Sequence, residues 1–306
     1  MLAPAQVTVC LVNRDGGEGF ARCLAALPAE ARAVVVDNAS RDGSQVAATR
    51  RSYTRLLENP DNAGFARGCN QAAQHAAGEV LLFLNNDALL EGPALEALLA
   101  SLAADPQAVA AGPRLLGERG PQPGSAGPAP RLGALLHRIR WLRWTGLFKA
   151  AHRRYRDGLP AAGPVERLGG AALAVRRRAF EAVGGFDEGY PFGLEDVDLS
   201  LRLGRLGRLL YVPAAEVLHA GGVSSARHRG FAYRGFELGF ARYARLHLGV
   251  PAGWLYKLAA TLDQPLRLVE LALRAVLRRG ERRRALAGQA RAVLAFLPAL
   301  PRLWWA

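Results

Sequence analysis

Three polar residues end the most apolar run of the chain: EVLLFLNNDALL, Glu79 to Leu90, stops at Asn85, Asn86 and Asp87. A carboxylate at the carboxyl end of a buried strand lies where α/β sheets bind ligands. Asp87 is therefore a candidate ligand for a hard cation, Mg²⁺ or Mn²⁺, which would in turn hold a diphosphate. A second cluster, Glu195, Asp196 and Asp198, opens an amphipathic helix in GLEDVDLSLRLGRLG. Acids in a first helical turn complement the helix dipole without any further role. Here, however, Leu194, Val197, Leu199, Leu201 and Leu203 make the helix largely buried, and three carboxylates beside a buried face are costly without partners. A poised general base is the more economical reading, with Asp198 and Arg202, at i and i+4, forming a structural salt bridge. His219, in AEVLHAGG, is by type a core histidine, but its place after the carboxylate helix would let it join Asp87 at a metal.

Two turns could receive a nucleotide. In VVVDNASRDGS, Asp37 ends a strand and Ser40, Asp42, Gly43 and Ser44 start a helix, so Asp37 could meet a nucleobase or ribose; ordinary turn and cap chemistry asks for the same residues. In NPDNAGFARGCNQAA, Asn62, Gly64 and Gly68 surround a helix start whose free N–H groups favour anions, with Arg67 and Asn70 nearby as donors. A plainly capped helix would look similar.

These residues need a frame. Short β-branched runs alternate with Ala- and Leu-rich stretches of helical period, as in βαβ units with a parallel sheet. Strands are expected at Val7 to Val12, Ala33 to Asp37, Arg55 to Glu58 and Glu79 to Leu84, with helices at Gly19 to Leu27, Gly43 to Thr49, Gly64 to Ala77 and Pro93 to Ala104. From Gly112 to Pro164 the composition turns to Gly, Pro and Arg with scattered Trp and reads as a flexible loop. A second ordered block follows: a strand at GAALAV, helices Arg177 to Val183 and Glu195 to Leu206, and a strand Arg208 to Val212. The last fifty or so residues read as all-helical.

At 306 residues and 50% hydrophobic, the chain suits one large α/β domain with an appendage. Its formal charge of +14 calls for a polyanionic partner: nucleic acid, an anionic membrane surface or phosphorylated substrates. Between Pro251 and Ala306 ten Lys and Arg face three acids, a net of +7. Cys10, Cys23 and Cys69 fit neither a CxxC metal site nor a disulfide framework, which points to a reducing, cytoplasmic compartment. No basic stretch and long apolar segment open the chain, and no run reaches the roughly 18 apolar residues a spanning helix needs.

Taken in order, VTVCLVNRDG, VVVDNASRDGS, NAGFARGCNQ, LLFLNND, GGAALAVRR, GGFDEGYPFGLEDVDLSLR and VLHAGG resemble the inverting family-2 glycosyltransferases, and within them the rhamnosyltransferase-like branch. The resemblance covers roughly residues 6 to 225. It implies an α/β GT-A fold, Rossmann-like with a mostly parallel central sheet, over 1–250, followed by a C-terminal helical tail over 251–306. It also implies a nucleotide-diphospho-sugar donor (TDP- or UDP-linked) and a divalent cation bridging the diphosphate to the last acid of a DxD-like triplet. Asn85 stands where that triplet has its first acid, which leaves Asp87 as its only charged ligand and suits Asn85 to a ribose or water contact. By the same likeness Asp37 would hold the nucleobase, Asp196 would deprotonate the acceptor hydroxyl with Glu195 as the alternative base, and His219 would be the further metal ligand. Val12, Asn13, Asn38, Asn62, Gly64, Phe65, Arg67, Asn70 and Asn86, which stand in the matching motifs, would line the donor side. A glycan or polyprenyl-diphosphate-linked acceptor in cell-envelope polysaccharide synthesis is suggested by the subfamily likeness.

The tail has two readings. Leu266, Val269, Leu273, Val276 and Leu277 recur at helical spacing beside Arg267, Arg274 and Arg278, giving a basic amphipathic helix that suits a peripheral contact with an anionic membrane. The same pattern suits a helical hairpin packed on the catalytic domain or on a second subunit in a homodimer. A sugar-1-phosphate nucleotidyltransferase would want a glycine-rich loop that LVNRDGGEG lacks. A nucleic-acid-binding protein would show a recognised motif, and a non-catalytic nucleotide-sugar binder would be expected to lose Asp87, Asp196 or His219.

Overall fold

The computed structural model describes residues 4–156, 158–221, 229–276 and 280–305. Its first alternating stretch is β1 (Val7–Asn13), α1 (Gly17–Ala26), β2 (Arg32–Asp37), α2 (Val46–Thr49), β3 (Thr54–Glu58), α3 (Phe65–Gln74) and β4 (Val80–Asn85). Next come β5 (Ala88–Leu89), α4 (Gly92–Ala104), β6 (Ala108–Gly117), β7 (Gly120–Pro121) and β8 (Ala126–Gly127). Three short helices follow, α5 (Leu132–Leu136), α6 (Arg140–Trp144) and α7 (Lys149–Arg156). Then the chain returns through β9 (Gly163–Val165), β10 (Arg167–Leu168), β11 (Ala172–Arg176), α8 (Arg177–Ala182), α9 (Glu195–Leu203) and β12 (Arg208–His219). It closes with α10 (Arg229–His247), α11 (Val250–Val276), α12 (Gly280–Phe296) and α13 (Leu300–Trp305).

Two compact units result: 1–129, 158–188 and 195–221 form one, and 130–157, 189–194 and 222–306 the other. This division differs from the expected break near 250, because α10 and the helices between 130 and 157 belong with the tail.

The first unit is built on a sheet of order β3-β2-β1-β4-β11-β6-β12-β5. Pairing is parallel for β3/β2, β2/β1, β1/β4 and β6/β12, and antiparallel where β11 enters between β4 and β6. Alternate residues of each strand feed opposite layers. Val7, Val9, Leu11, Leu82 and Leu84 pack with α1 and α4, whereas Cys10, Val34, Val36, Leu81 and Phe83 pack with α3, α8 and α9. Burial on both faces explains why these strands are near-continuous apolar runs. The three thiols are free and buried, and burial pushes those of Cys10 and Cys23 up to about 12.

The stretch 112–164 is not the expected flexible loop. Its first residues complete β6, where Pro113 pairs in register with Val212, and the remainder supplies β7, β8, α5, α6, α7 and β9. β12 likewise outruns its expected end at Val212: an irregularity between Val212 and Glu216 shifts the register and lets the strand continue to His219.

The second unit is helical, and several of its polar groups are turned inward. Asp263 Oδ1 accepts from the Arg140 N–H at 2.8 Å, Glu270 pairs with Arg140 and, at 2.7 Å, with Arg274, and Tyr233 donates to Gln264 at 2.9 Å. Arg267 lies over the Tyr233 ring and donates to its hydroxyl at 2.8 Å. Burial, with Arg267, Arg143 and Arg274 nearby, lowers the Arg140 guanidinium to about 10. This unit carries 23 Lys and Arg against five acids, a net of +18, while the first carries 17 against 21, a net of −4. The whole positive excess therefore belongs to the helical unit. Leu277 and Arg278 lie outside the described residues.

Candidate active site

Register brings the polar strand ends together. Asn13 pairs with Asp37 and Val12 with Asn85, so the carboxyl ends of β1, β2 and β4 open side by side where the strand order reverses. Asp37 is 2% exposed and accepts three hydrogen bonds. Its Oδ1 accepts from Asn13 Nδ2 at 2.8 Å and Ser40 Oγ at 2.6 Å, and its Oδ2 from the Ser40 N–H at 2.8 Å. Asn86 Nδ2 donates to Asn13 Oδ1 at 3.0 Å, which ties β1 to the triplet. Asn38 donates to the Gly64 carbonyl at 3.1 Å and accepts from Asn59, joining the second turn to the first. Asn62 Oδ1 accepts from the Gly64 N–H at 3.1 Å, and Gly64, with φ of +87°, makes the turn into α3 that a side chain would strain.

Other expected donor-side residues are engaged elsewhere. Asn70 donates to the Phe186 carbonyl at 2.9 Å and to Glu188 at 3.0 Å, and accepts from the Phe186 N–H at 2.9 Å. Phe65 stacks edge-on against Phe186. Both pin the 186 turn to α3. Val12 is half-buried under Gly68, where a Cβ would fall 2.8 Å from its Cγ2, and Arg67 is exposed on α3.

Asp87 and His219 meet across the short β5/β12 ladder, in which His219 pairs with Ala88 and the Ala220 N–H donates to the Asp87 carbonyl. His219 Nε2 lies 3.4 Å from Asp87 Oδ1 and 3.2 Å from Asn85 Nδ2. Its other ring nitrogen is fixed by a residue that sequence reasoning missed. Gln122 Nε2 donates to the His219 carbonyl at 2.8 Å, so Gln122 Oε1 is the atom 3.0 Å from Nδ1 and must accept from Nδ1–H. Nε2 is thereby turned toward Asp87 and Asn85 and bears a lone pair when the ring is neutral, the orientation that a hydrogen-bonded partner behind a metal-ligating histidine imposes. Burial alone would raise the Asp87 carboxyl, but the Nε2–H and positive charge that His219 offers when its ring is charged, with the N–H groups of Asp87 and Gly221, outweigh it and hold the group below the usual range. Gln122 stands in a Gly/Pro-rich stretch, and only its polarity between two prolines marks it in the sequence.

Asp196 sits one strand away. The Asn85 N–H donates to the Ala171 carbonyl at 2.9 Å, and the neighbouring Gly170 N–H donates to Asp196 Oδ2 at 2.8 Å. A Cβ at Gly170 would lie 2.9 Å from Asp196 Cβ, so glycine permits this approach. Asp196 Oδ1 also accepts from the Val197 N–H at 2.8 Å, which leaves each oxygen a lone pair for a proton. Glu195, half-buried in the same turn, follows Leu194, whose φ of +74° is a strained value for a branched side chain. Asp198 and Arg202 form the expected ion pair at 2.6 Å, and Arg202 also donates to the carbonyls of Val183 and Gly185.

Comparison with known proteins places the chain in a family. The glycosyl transferase family 2 model matches residues 7–158. The N-acetylglucosaminyl-diphospho-decaprenol L-rhamnosyltransferase of Mycobacterium tuberculosis is 37% identical over 242 residues, covering 72% of this chain and 77% of that protein. Rhamnosyltransferase WbbL of Escherichia coli is 46% identical over 56 residues, 18% of this chain and 21% of its own. Among solved structures, the mannosyltransferase PcManGT from Pyrobaculum calidifontis, in complex with GDP-Man and Mn²⁺, superposes with a TM-score of 0.56 at 20% identity over 99% of this chain and 89% of its own. At that identity it shows the fold, GT-A. The chain belongs to glycosyltransferase family 2.

Proposed function

We propose that this chain transfers a sugar, rhamnose being the leading candidate, with inversion from a TDP- or UDP-linked diphosphate donor to a polyprenyl-diphosphate-linked or glycan acceptor. The setting is cell-envelope polysaccharide synthesis at the cytoplasmic face of the membrane. The Mycobacterium relative, named for a rhamnosyl transfer to a decaprenol-diphosphate-linked sugar, supports the sugar and the acceptor class. One observation carries the chemistry: the path Asn85, Ala171, Gly170, Asp196 sets a carboxylate beside the strand whose end bears Asp87 and His219.

Asp87 Oδ1 and His219 Nε2, 3.4 Å apart and both bearing lone pairs, fit two adjacent ligands of one divalent ion, since neighbouring ligands at ~2.1 Å from Mg²⁺ or Mn²⁺ stand roughly 3 Å apart. When bound, such an ion neutralises charge on the departing diphosphate. Asn85 and Asn86 border it, and Asn13, Asp37 and Asn38 form the hydrogen-bonded floor on which base and ribose would rest. Asp196 takes the proton of the acceptor hydroxyl as that oxygen bonds to the anomeric carbon. The bond from that carbon to the diphosphate breaks on the opposite face, and its electron pair leaves with the nucleoside diphosphate. Asp196 rather than Glu195 is assigned the base because Gly170 and Val197 hold its carboxylate from two sides.

Calorimetric titration with UDP, TDP and GDP, each with and without Mn²⁺, tests the donor site. The expected result is one nucleotide bound at least tenfold more tightly with metal, the gain disappearing in Asp87→Ala. Metal-independent binding of every nucleotide in both proteins would refute the assignment.

A further inference from the structure

α11 is folded inside out. Its polar residues Lys257, Asp263, Gln264 and Glu270 are buried, while Leu255, Leu258, Leu262, Leu266, Val269 and Leu273 are 43 to 63% exposed. From Pro251 to Leu273 every exposed residue of the helix is apolar, and the first exposed charge is Arg274. At 1.5 Å per residue this bare face runs about 33 Å. Water-facing helices place their charges outward, and an exposed apolar patch of this length marks an interaction surface.

The expected basic amphipathic stripe is therefore split differently from its sequence pattern. Arg267, which neighbours Leu266 in the chain, is turned inward on Tyr233, leaving the apolar residues alone outside. Spanning is excluded for this helix by its buried polar side, and no helix among the described residues is long and apolar enough to cross a bilayer.

We propose that this face of α11 lies in the plane of an anionic bilayer, seated at the headgroup and acyl boundary. Charge selects the occupant. The unit that bears α11 carries a net of +18, and three of its five acids, Glu237, Asp263 and Glu270, are buried. A second copy brought face to face would set one +18 unit against another. Anionic headgroups complement it, each Lys or Arg near the surface adding attraction that falls with salt. Trp254, 55% exposed at the start of the stripe, is a side chain suited to the membrane interface. This inference rests on the lipid-linked acceptor proposed above, because such a substrate would be met at that surface.

The test is flotation of the full chain with vesicles of phosphatidylglycerol and phosphatidylcholine, without donor or acceptor, so that its outcome is independent of transfer and of the nucleotide titration. The wild type should partition onto anionic vesicles, at least tenfold less so in 0.5 M salt. A Leu262→Glu, Leu266→Glu double variant should lose at least tenfold in partitioning while keeping its nucleotide affinity. Lipids brominated near the headgroup end of their chains should quench Trp fluorescence, and Trp254→Phe should remove much of that quenching with no new charge in the fold. Failure to bind anionic vesicles, or binding unchanged in both variants, would overturn the proposal. A dimer in sedimentation that Leu262→Glu, Leu266→Glu dissociates would assign the face to a second copy instead.

Discussion

Replacing Gln122 by leucine should loosen a metal that Gln122 does not touch. The residue makes two hydrogen bonds to His219, at 3.0 Å to Nδ1 and at 2.8 Å to the carbonyl, and together they set both tautomer and ring orientation. At a net value of about 1 kcal/mol each, their loss allows the imidazole to turn and to protonate on either nitrogen. If the ~2 kcal/mol is expressed in metal binding, Mn²⁺ affinity falls about 30-fold, inside the 10- to 100-fold span typical of such partners. Gln122→Glu keeps an acceptor for Nδ1–H but sets a carboxylate oxygen against the His219 carbonyl, so it should retain more metal affinity than Gln122→Leu without matching the wild type. The assay is Mn²⁺ titration followed by the paramagnetic resonance of the free ion, at saturating nucleoside diphosphate, with His219→Ala as the reference for complete loss of that ligand. Gln122→Leu within twofold of the wild type, alongside a weakened His219→Ala, would refute the positioning argument.

Three further outcomes are expected. Gly170→Ala, whose Cβ would press on Asp196 Cβ at 2.9 Å, should lower kcat at least tenfold while Mn²⁺-dependent nucleotide binding stays within threefold, as read by steady-state kinetics beside calorimetry. Arg202→Met removes the cation opposite the buried carboxylate of Asp198 and should cost about 3–5 kcal/mol in urea denaturation, whereas a cost below 1 kcal/mol would show the pair to be dispensable. Burial raises the carboxyl of Glu237 above its ordinary 4.5 against the opposing pull of Arg138 and Arg267. A raised acid is favoured protonated in the fold, so it costs stability once pH climbs past 4.5, and the cost is complete above the folded value. Glu237→Gln should therefore unfold at a higher temperature than the wild type at pH 7.5, by about 2–4 °C for each kcal/mol recovered, with the difference closing as pH falls toward 4.5.

The parallel half of the sheet is legible because burial on both faces writes β1, β2 and β4 as unbroken apolar runs, and their polar ends announce Asn13, Asp37 and Asp87. What stays hidden depends on partners distant in sequence. Gly- and Pro-rich composition between 112 and 164 suggests a loop, yet Pro113 is accommodated in β6 and Gln122 reaches His219 across 97 positions. The periodicity of α11 reveals that it has two faces without telling which is inward. Arg140 and Tyr233 decide that by binding Glu270, Asp263 and Gln264, and so turn the leucines out. The break between units is obscured for the same reason, since 130–157 joins helices more than a hundred residues away.

The central claim, that Asp196 drives an inverting transfer from a donor held at Asp87 and His219, is tested most directly by the product. The protein would be incubated with Mn²⁺, TDP-rhamnose or UDP-sugars, and a short-chain polyprenyl-diphosphate N-acetylglucosamine, and the new linkage read by NMR. The account predicts a disaccharide whose anomeric configuration is opposite to the donor's, with no product from Asp196→Asn although that variant binds nucleotide within a few-fold of the wild type. A linkage with the donor's configuration retained, or undiminished turnover in Asp196→Asn, would contradict it.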